Sequence, residues 1–363
     1  MFVTLLVFLA VLGVMVFVHE LGHFLVAKKA GVRVEEFAFG FRPRLWARTI
    51  GETTYAINVI PLGGYVKMYG EQEGEIGPGS YRSKGAKARL AILLAGSTMN
   101  LLMAWVILTV LFATGFEPFF PNASTNPYIN TSPHVVVGQV ADASPAQSAG
   151  LKIGDELLAV NGTTITASQQ FVDLINGFKG SLVTVDLKRD GQLLAVTLTP
   201  RITAPAGQGS LGVAIGETGQ VKSSLVKAPL AALYETGRII GASAAGFGNF
   251  IRQLVVKQQV SDQVTGLIGV GALTGVARRL GFSYLAQLVA LISVGLGVVN
   301  LMPILPLDGG HIAVVVYEKI ARRKLSERQF SIFATAGLAF ILLIFVVVTF
   351  KDVMRFNVWG RIF

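Results

Sequence analysis

His19, Glu20 and His23 stand in the order His-Glu-x-x-His. On a helix, residues four apart face the same way. Two imidazoles so placed can share one metal ion while the carboxylate between them works on a water beside it, the spacing used for zinc-dependent hydrolysis. The flanking residues sharpen this reading. Leu12-Gly-Val-Met-Val-Phe-Val18 precedes the motif and Phe24-Leu-Val-Ala27 follows it, so the polar groups sit in a stretch apolar enough to cross a membrane. A charged side chain at the bilayer centre costs roughly 2.5–3.5 kcal/mol on insertion scales, so ionisable groups there are functional by default. The bland alternative is a pair of histidines packed into a helix bundle with hydrogen-bond partners.

Two histidines do not complete a catalytic zinc site, which takes three protein ligands and a water. The chain has no cysteine, and its only other histidines are His134 and His311. Neither Glu-x-x-Glu nor a third histidine follows the motif shortly downstream. The candidate lies far along the chain, in Asn300-Leu-Met-Pro-Ile-Leu-Pro-Leu-Asp-Gly-Gly-His311. Asp308 offers a carboxylate, Gly309 and Gly310 let the backbone bend around it, and Pro303 and Pro306 break the helix. Broken backbone at membrane depth is tolerated where it lines a site. Asp-Gly-Gly after prolines is also an ordinary turn, and His311 competes as a ligand by chemistry. On residue types alone the third ligand stays open.

These groups must be positioned by membrane helices. The chain has 363 residues, 52% hydrophobic and 14% charged, with mean hydropathy +0.60, which reads as a polytopic α-helical membrane protein. Apolar segments predict four spans, at 1–27, 90–114, within 282–312 (about Tyr284–Met302), and 330–350. The first lacks the basic start and the cleavage site of a signal peptide. Net charge is +10, but the basic residues fall in loops between apolar spans. The positive-inside rule explains them better than a nucleic-acid partner does. Lys28, Lys29, Arg33, Arg42, Arg44 and Arg48 follow the first span, and Lys319, Arg322, Arg323, Lys324 and Arg328 follow the third. Both loops are expected on the cytoplasmic side, with the long segment between the second and third spans outside. His19 then lies about 26 Å along its helix, within the membrane and nearer the cytoplasmic face.

The loop at 28–89 alternates apolar and polar residues around Gly51 and Pro61-Leu-Gly-Gly64, which predicts short antiparallel strands beside the membrane site. Such strands could take an extended substrate by β-addition; the plain alternative is an ordinary cytoplasmic sheet. Residues 133–202 predict a compact module with a two-residue hairpin turn at Asp190-Gly191. Its string Ala149-Gly-Leu-Lys-Ile-Gly-Asp-Glu-Leu-Leu-Ala-Val-Asn-Gly162 resembles a PDZ domain, an α+β module that either binds a peptide ligand or gates access. Residues 203–281 read as a linker and an amphipathic helical region, with the helix over about 230–260 at the outer surface.

Together, His19-Glu-Leu-Gly-His23, the segment Asn300-x-x-Pro303-x-x-Pro306-Leu-Asp308-Gly309 and the PDZ-like string between them resemble the site-2 protease family. The bacterial regulator-of-sigma-E type is most similar, across nearly the whole chain. The resemblance implies an intramembrane zinc metalloprotease of the bacterial inner membrane with an extracytoplasmic PDZ domain. It implies that His19, His23 and Asp308 hold Zn2+ and that Glu20 is the general base. Asn300 and the membrane-associated strand Gly64, Tyr65, Val66, Lys67 and Met68 would position substrate. The implied substrates are single-span membrane proteins already trimmed outside, such as anti-sigma factors or signal-peptide remnants. One departure stands out: the family's Gly-Pro-x-x-Asn appears here as Gly96-Ser-Thr-Met-Asn100, and loss of that proline leaves the shape of the second span open. Cobalt or iron could use the same ligands. The alternatives to a protease are a non-catalytic membrane PDZ scaffold with a structural metal site and a metal transporter, the latter disfavoured because the fourth span has almost no polar residues.

Overall fold

Among the described residues, four helices are long and apolar enough to span a bilayer. They are α1 (Phe2–Lys29), α2 (Ala86–Thr114), α7 (Phe282–Asn300) and α9 (Glu327–Arg355). The computed structural model describes residues 2–71, 77–118, 126–189, 191–205, 208–253, 256 and 266–355. The chain is a polytopic membrane protein with two compact units, one of residues 1–109 with 232–363 and one of residues 110–231.

The first unit holds the spans. Apart from Thr4 and the motif His19-Glu20-Leu-Gly-His23, α1 is apolar up to Lys28 and Lys29, a basic last turn that suits the helix dipole. α2 runs unbroken through Gly96-Ser97, so losing the family's proline leaves this span straight in its hydrogen bonding. α7 stops at Asn300. Leu301 to Leu307 form a turn in which Leu307 N donates to Ile304 O at 2.9 Å. A separate helix, α8 (Asp308–Ala321), then begins at Asp308. The 282–312 segment thus holds a span and a second helix, parted where Pro303 and Pro306 cannot supply N–H donors to a continuing ladder.

After α1 the chain forms β1 (Val34–Ile50) and β2 (Thr53–Met68). Their pairing folds these strands into more than a hairpin. Phe37 opposes Tyr55 on one side and Val66 on the other, and Phe39 opposes both Ile57 and Gly64. Thr49 and Trp46, further along β1, pair with Thr54 and Ile57. The first part of β1 is thus an inner strand, and Gly64–Met68 forms an edge. Aromatic rings fix this sheet to α1: Phe24 stacks on Phe37 at 4.9 Å, and Phe17 meets Phe37 at 5.7 Å. Ala27, Val34, Met68 and Ile92 bury the junction of helix and sheet.

In the second unit, β3 (Asn130–Val140), β4 (Glu156–Val160), β5 (Thr163–Thr164), β6 (Val183–Arg189), β7 (Gln192–Leu198) and β8 (Val213–Lys222) form one antiparallel sheet. The short helix α3 (Pro145–Ser148) and α4 (Ser168–Gly177) close its core of Val135, Leu157, Phe171 and Val185. This is the α+β arrangement of a PDZ-like domain. Asp190, half of the expected turn, lies outside the described residues, but Arg189 pairs with Gln192 as a two-residue loop requires. The expected boundary at 202 is too early. β8 pairs with β3, Leu211 is buried, and Val213 and Ile215 pack on the core. Residues 211–222 therefore belong to this sheet rather than to a linker.

Among the described residues, the remainder of the 203–281 region gives α5 (Ala228–Arg252) and α6 (Leu267–Leu280). Of the helix expected over 230–260, residues 254–255 and 257–260 lie outside the described residues. At 14 residues with Arg278 and Arg279 at its end, α6 is about 21 Å long and too short to span. It packs on α1, α7 and α9, and its Gly269 N–H donates to Asp352 Oδ2 of α9 at 2.8 Å.

Candidate metal centre

α1 carries His19 and His23 on one face, one turn apart, and both are buried. Their Nε2 atoms lie 3.2 Å apart. α8 brings Asp308 to them from the far end of the sequence, with Oδ2 at 3.2 Å from each Nε2. The three atoms form a triangle with equal sides. Tetrahedral zinc with bonds of about 2.0 Å needs ligand atoms about 3.3 Å apart, so these residues fit the ion. The chemistry agrees with the spacing. Asp308 Oδ2 is buried and, among the described residues, meets no donor besides the two imidazole nitrogens that face it. A carboxylate and two lone pairs so close repel one another unless a cation lies among them.

The surroundings hold His23 in the form that binds metal. His23 Nδ1 lies 2.8 Å from the Ile92 carbonyl oxygen of α2. A carbonyl only accepts, so Nδ1 carries the hydrogen and Nε2 is left with its lone pair. His19 Nδ1 lies 3.3 Å from the Asn100 side-chain amide, also on α2. Asn100 is fully buried, and its backbone oxygen accepts from Ser293 Oγ of α7 at 2.8 Å. Three helices are tied together at this point.

α2 can come this close because of Gly96. A Cβ there would stand 2.3 Å from His23 Nε2 and 2.7 Å from His19 Nε2. Gly309 does the same for α8, since a Cβ would meet the carbonyl oxygens of Leu301 and Met302 at 2.2 Å each. The turn 301–307 folds back directly over the start of α8, and this sets the position of Asp308.

Glu20 points to the sheet edge. A Cβ on Gly64 would lie 3.2 Å from Glu20 Cγ, and the backbone N–H of Val66 faces the Glu20 carboxylate. Alternation along the strand accounts for this. Tyr69 N–H donates to Arg33 O at 2.9 Å, on the β1 side. Tyr65 and Lys67 then also turn to β1, while Gly64 and Val66 turn their backbone groups away from it, toward Glu20. Among the described residues no strand pairs with that outer edge.

The structure therefore gathers His19, Glu20, His23, Asp308, Gly64 and Val66 at one centre. Asn300, the last residue of α7, joins them with Nδ2 at 3.4 Å from His19 Nε2. Tyr65, Lys67 and Met68 continue the same strand; Lys67 pairs with Glu35 at 2.7 Å. His311 is not among the three convergent ligands; it lies one turn further along α8, against Phe330. Sequence reasoning did not assign the contacts of Asn100 and Gly96. The pattern Gly96-x-x-x-Asn100, which puts both on one face of an apolar helix, was the available signal.

The sequence profile of peptidase family M50 matches residues 7–344. A protein of Mesorhizobium japonicum named "Putative zinc metalloprotease" is 34% identical, covering 93% of this chain and 95% of its own. The protein named "Zinc metalloprotease RasP" of Geobacillus kaustophilus is 26% identical, covering 96% of this chain and 97% of its own. Among solved structures, the PDZ domain of an SdrC-like protein from Listeria monocytogenes is similar to part of the chain. That match has 26% identity and a TM-score of 0.21, covering 22% of this chain and 85% of that one.

Proposed function

The chain belongs to peptidase family M50, the site-2 proteases, and from that premise we propose that it hydrolyses peptide bonds of single-span membrane proteins within the bilayer, with Zn2+ held by His19, His23 and Asp308. It is a metalloprotease of the membrane; the depth of the site, the metal's identity and the substrate class are our reading. The observation that carries it is the convergence of three metal-ligand atoms, one carboxylate and an open strand edge at a single point.

Zinc at this centre supplies Lewis acidity, lowering the pKa of water to about 7 and polarising the scissile carbonyl. The protein's own groups do the rest. Glu20 accepts a proton from the attacking water as its oxygen bonds to the carbonyl carbon. The same carboxyl then returns that proton to the amine as the C–N bond breaks. A transmembrane helix keeps its amides in internal hydrogen bonds, so the substrate must be extended locally before attack. The outward backbone groups of Gly64 and Val66 can hold it as an added strand, and Asn300 stands where it can hydrogen-bond the substrate backbone.

Basic residues in the 28–89 and 319–328 loops support a cytoplasmic placement of both and an outer placement of the PDZ-like unit. In this reading the unit binds a peptide or turns away substrates with intact outer domains. The substrates are then single-span proteins trimmed beforehand, of the anti-sigma or signal-peptide-remnant kind, and the location is the bacterial inner membrane.

The test is cleavage of a single-span substrate in detergent by wild type and by Glu20→Gln, with and without a zinc chelator. Cleavage by wild type alone, lost on chelation, is the expected result. Equal cleavage by Glu20→Gln, or cleavage indifferent to chelation, overturns the assignment.

A further inference from the structure

The two histidine ligands have partners on α2, the Ile92 carbonyl for His23 and the Asn100 amide for His19. Asp308 is held differently. Among the described residues its Oδ2 meets only the imidazoles themselves. Its carboxylate is therefore placed by the backbone that leads into α8, the turn 301–307.

That turn is gripped at Leu305, which is buried. On one side stands Gly310 of α8, where a Cβ would overlap the Leu305 nitrogen and lie 2.6 Å from the Ile304 carbonyl carbon. On the other stands Gly337 of α9. A Cβ there would overlap the Leu305 carbonyl oxygen and lie 3.0 Å from its carbonyl carbon. These are backbone atoms, so no side chain can swing aside to make room. With hydrogen in place of the Cβ, the approach is a Cα–H···O contact of the kind found between closely packed helices.

The sequence of α9 aims this glycine inward. Phe330, which meets the His311 ring at 5.9 Å, lies about two turns before Gly337, and the buried Val348 lies about three turns after it. The three share one face. Ile332, Leu342 and Val346, on the other side of the helix, are exposed.

The geometry points to a task for a helix that supplies no ligand. Resting on the metal-site reading above, we propose that Gly337 is a positioning residue of the metal centre. α9 bears on the Leu305 peptide, pins the turn 301–307 against α8 and so keeps Asp308 Oδ2 at its corner of the ligand triangle. A side chain at 337 pushes the turn, and Asp308 with it, off that corner, while His19 and His23 on α1 stay in place.

Gly337→Ala tests this, read by competition for zinc against a chromophoric chelator and by the visible absorption of Co2+ bound to the same ligands. Zinc affinity is expected to fall about 10- to 100-fold, as on loss of a group that orients a ligand, and the cobalt spectrum to depart from that of wild type. Ala has the higher helix propensity, so a weakened α9 does not account for such a loss. Ala339→Gly, exposed on the same helix, should bind zinc as wild type does. In an Asp308→Ala background, Gly337→Ala should lower the residual affinity no further, because its effect passes through Asp308. A folded Gly337→Ala with wild-type affinity and spectrum overturns the assignment. So does an undiminished loss in the Asp308→Ala background. If Gly337→Ala does not fold, wild type decides. By reciprocity, zinc should slow amide exchange at residues 334–341 as well as at 301–310, and an effect confined to 301–310 overturns the proposal. Failure of wild type to bind zinc at all overturns the metal-site reading itself, and this proposal with it.

Discussion

The Asn100 amide lies 3.3 Å from His19 Nδ1, and the amide's oxygen is buried without a partner among the described residues. If His19 Nε2 keeps its lone pair for a metal, Nδ1 carries the hydrogen and needs an acceptor. The two ends of an amide have the same shape, and turning Asn100 over satisfies both groups at once. Asn100→Leu is therefore expected to weaken zinc binding about 10- to 100-fold, the usual effect of losing such a partner, while Asn100→Asp retains it. Competition against a fluorescent chelator measures this directly, and equal affinity of the Leu variant would remove Asn100 from the site.

Glu20→Gln should fold, bind zinc in full and lose about 10²- to 10⁴-fold in turnover, the span of general acid–base catalysis. Metal analysis alongside single-turnover cleavage checks both halves. Full turnover by the Gln variant would move the base elsewhere.

Asp308→Ala removes one corner of the 3.2 Å triangle. Zinc stoichiometry should fall well below one per chain, whereas His311→Ala should keep it. The reverse pattern would make His311 the ligand.

Gly96→Ala adds one methyl group to α2, 2.3 Å from His23 Nε2. The helix or the imidazole must move, so zinc content and cleavage should both collapse. Ser97→Ala, next along the helix, should leave zinc content unchanged and serves as the control.

Asp155 gives a pH dependence outside the membrane. Burial pushes its carboxyl up, but hydrogen bonds from Arg189, at 2.6 and 2.7 Å, and from the Lys152 backbone outweigh this and leave it below the usual range. The unfolded carboxyl titrates near about 3.9. The stabilisation is thus complete above that value and disappears as pH falls through the lower, folded one. Protection of the amides of residues 126–222, taken relative to their intrinsic exchange rates, should fall on acidification below about pH 4 in wild type. Asp155→Asn should be less protected at neutral pH and nearly flat across the same range. A wild-type profile indifferent to acid would sink the argument.

The membrane spans and the His-Glu-x-x-His motif were legible because each rests on a strong local signal, whereas Asp308 sits in a string that also reads as an ordinary turn and was assigned only through the resemblance. Uninterrupted apolar runs need no partner to be recognised, and His19, Glu20 and His23 are conspicuous among them. The double pairing of β1 was not legible. Phe37 opposing both Tyr55 and Val66 depends on where the chain turns back, not on the alternation of either strand. β8 was missed for a related reason. It follows a Gly- and Pro-rich stretch and contains Gly216 and Gly219, so its strand character comes from pairing with β3 rather than from its own composition. Asn100 gave only half a signal, since a lone amide on an apolar helix announces burial but not its partner.

Asp308 opens a helix made near the end of the chain, while His19 and His23 lie near its beginning. During synthesis the histidine pair is made long before its third ligand exists, and Asn100 emerges well before the Ser293 that ties it to α7. A partly made chain thus carries the recognisable protease motif without a closed metal site. Hydrolytic capacity would appear only once the third span and the helix that opens on Asp308 have been made.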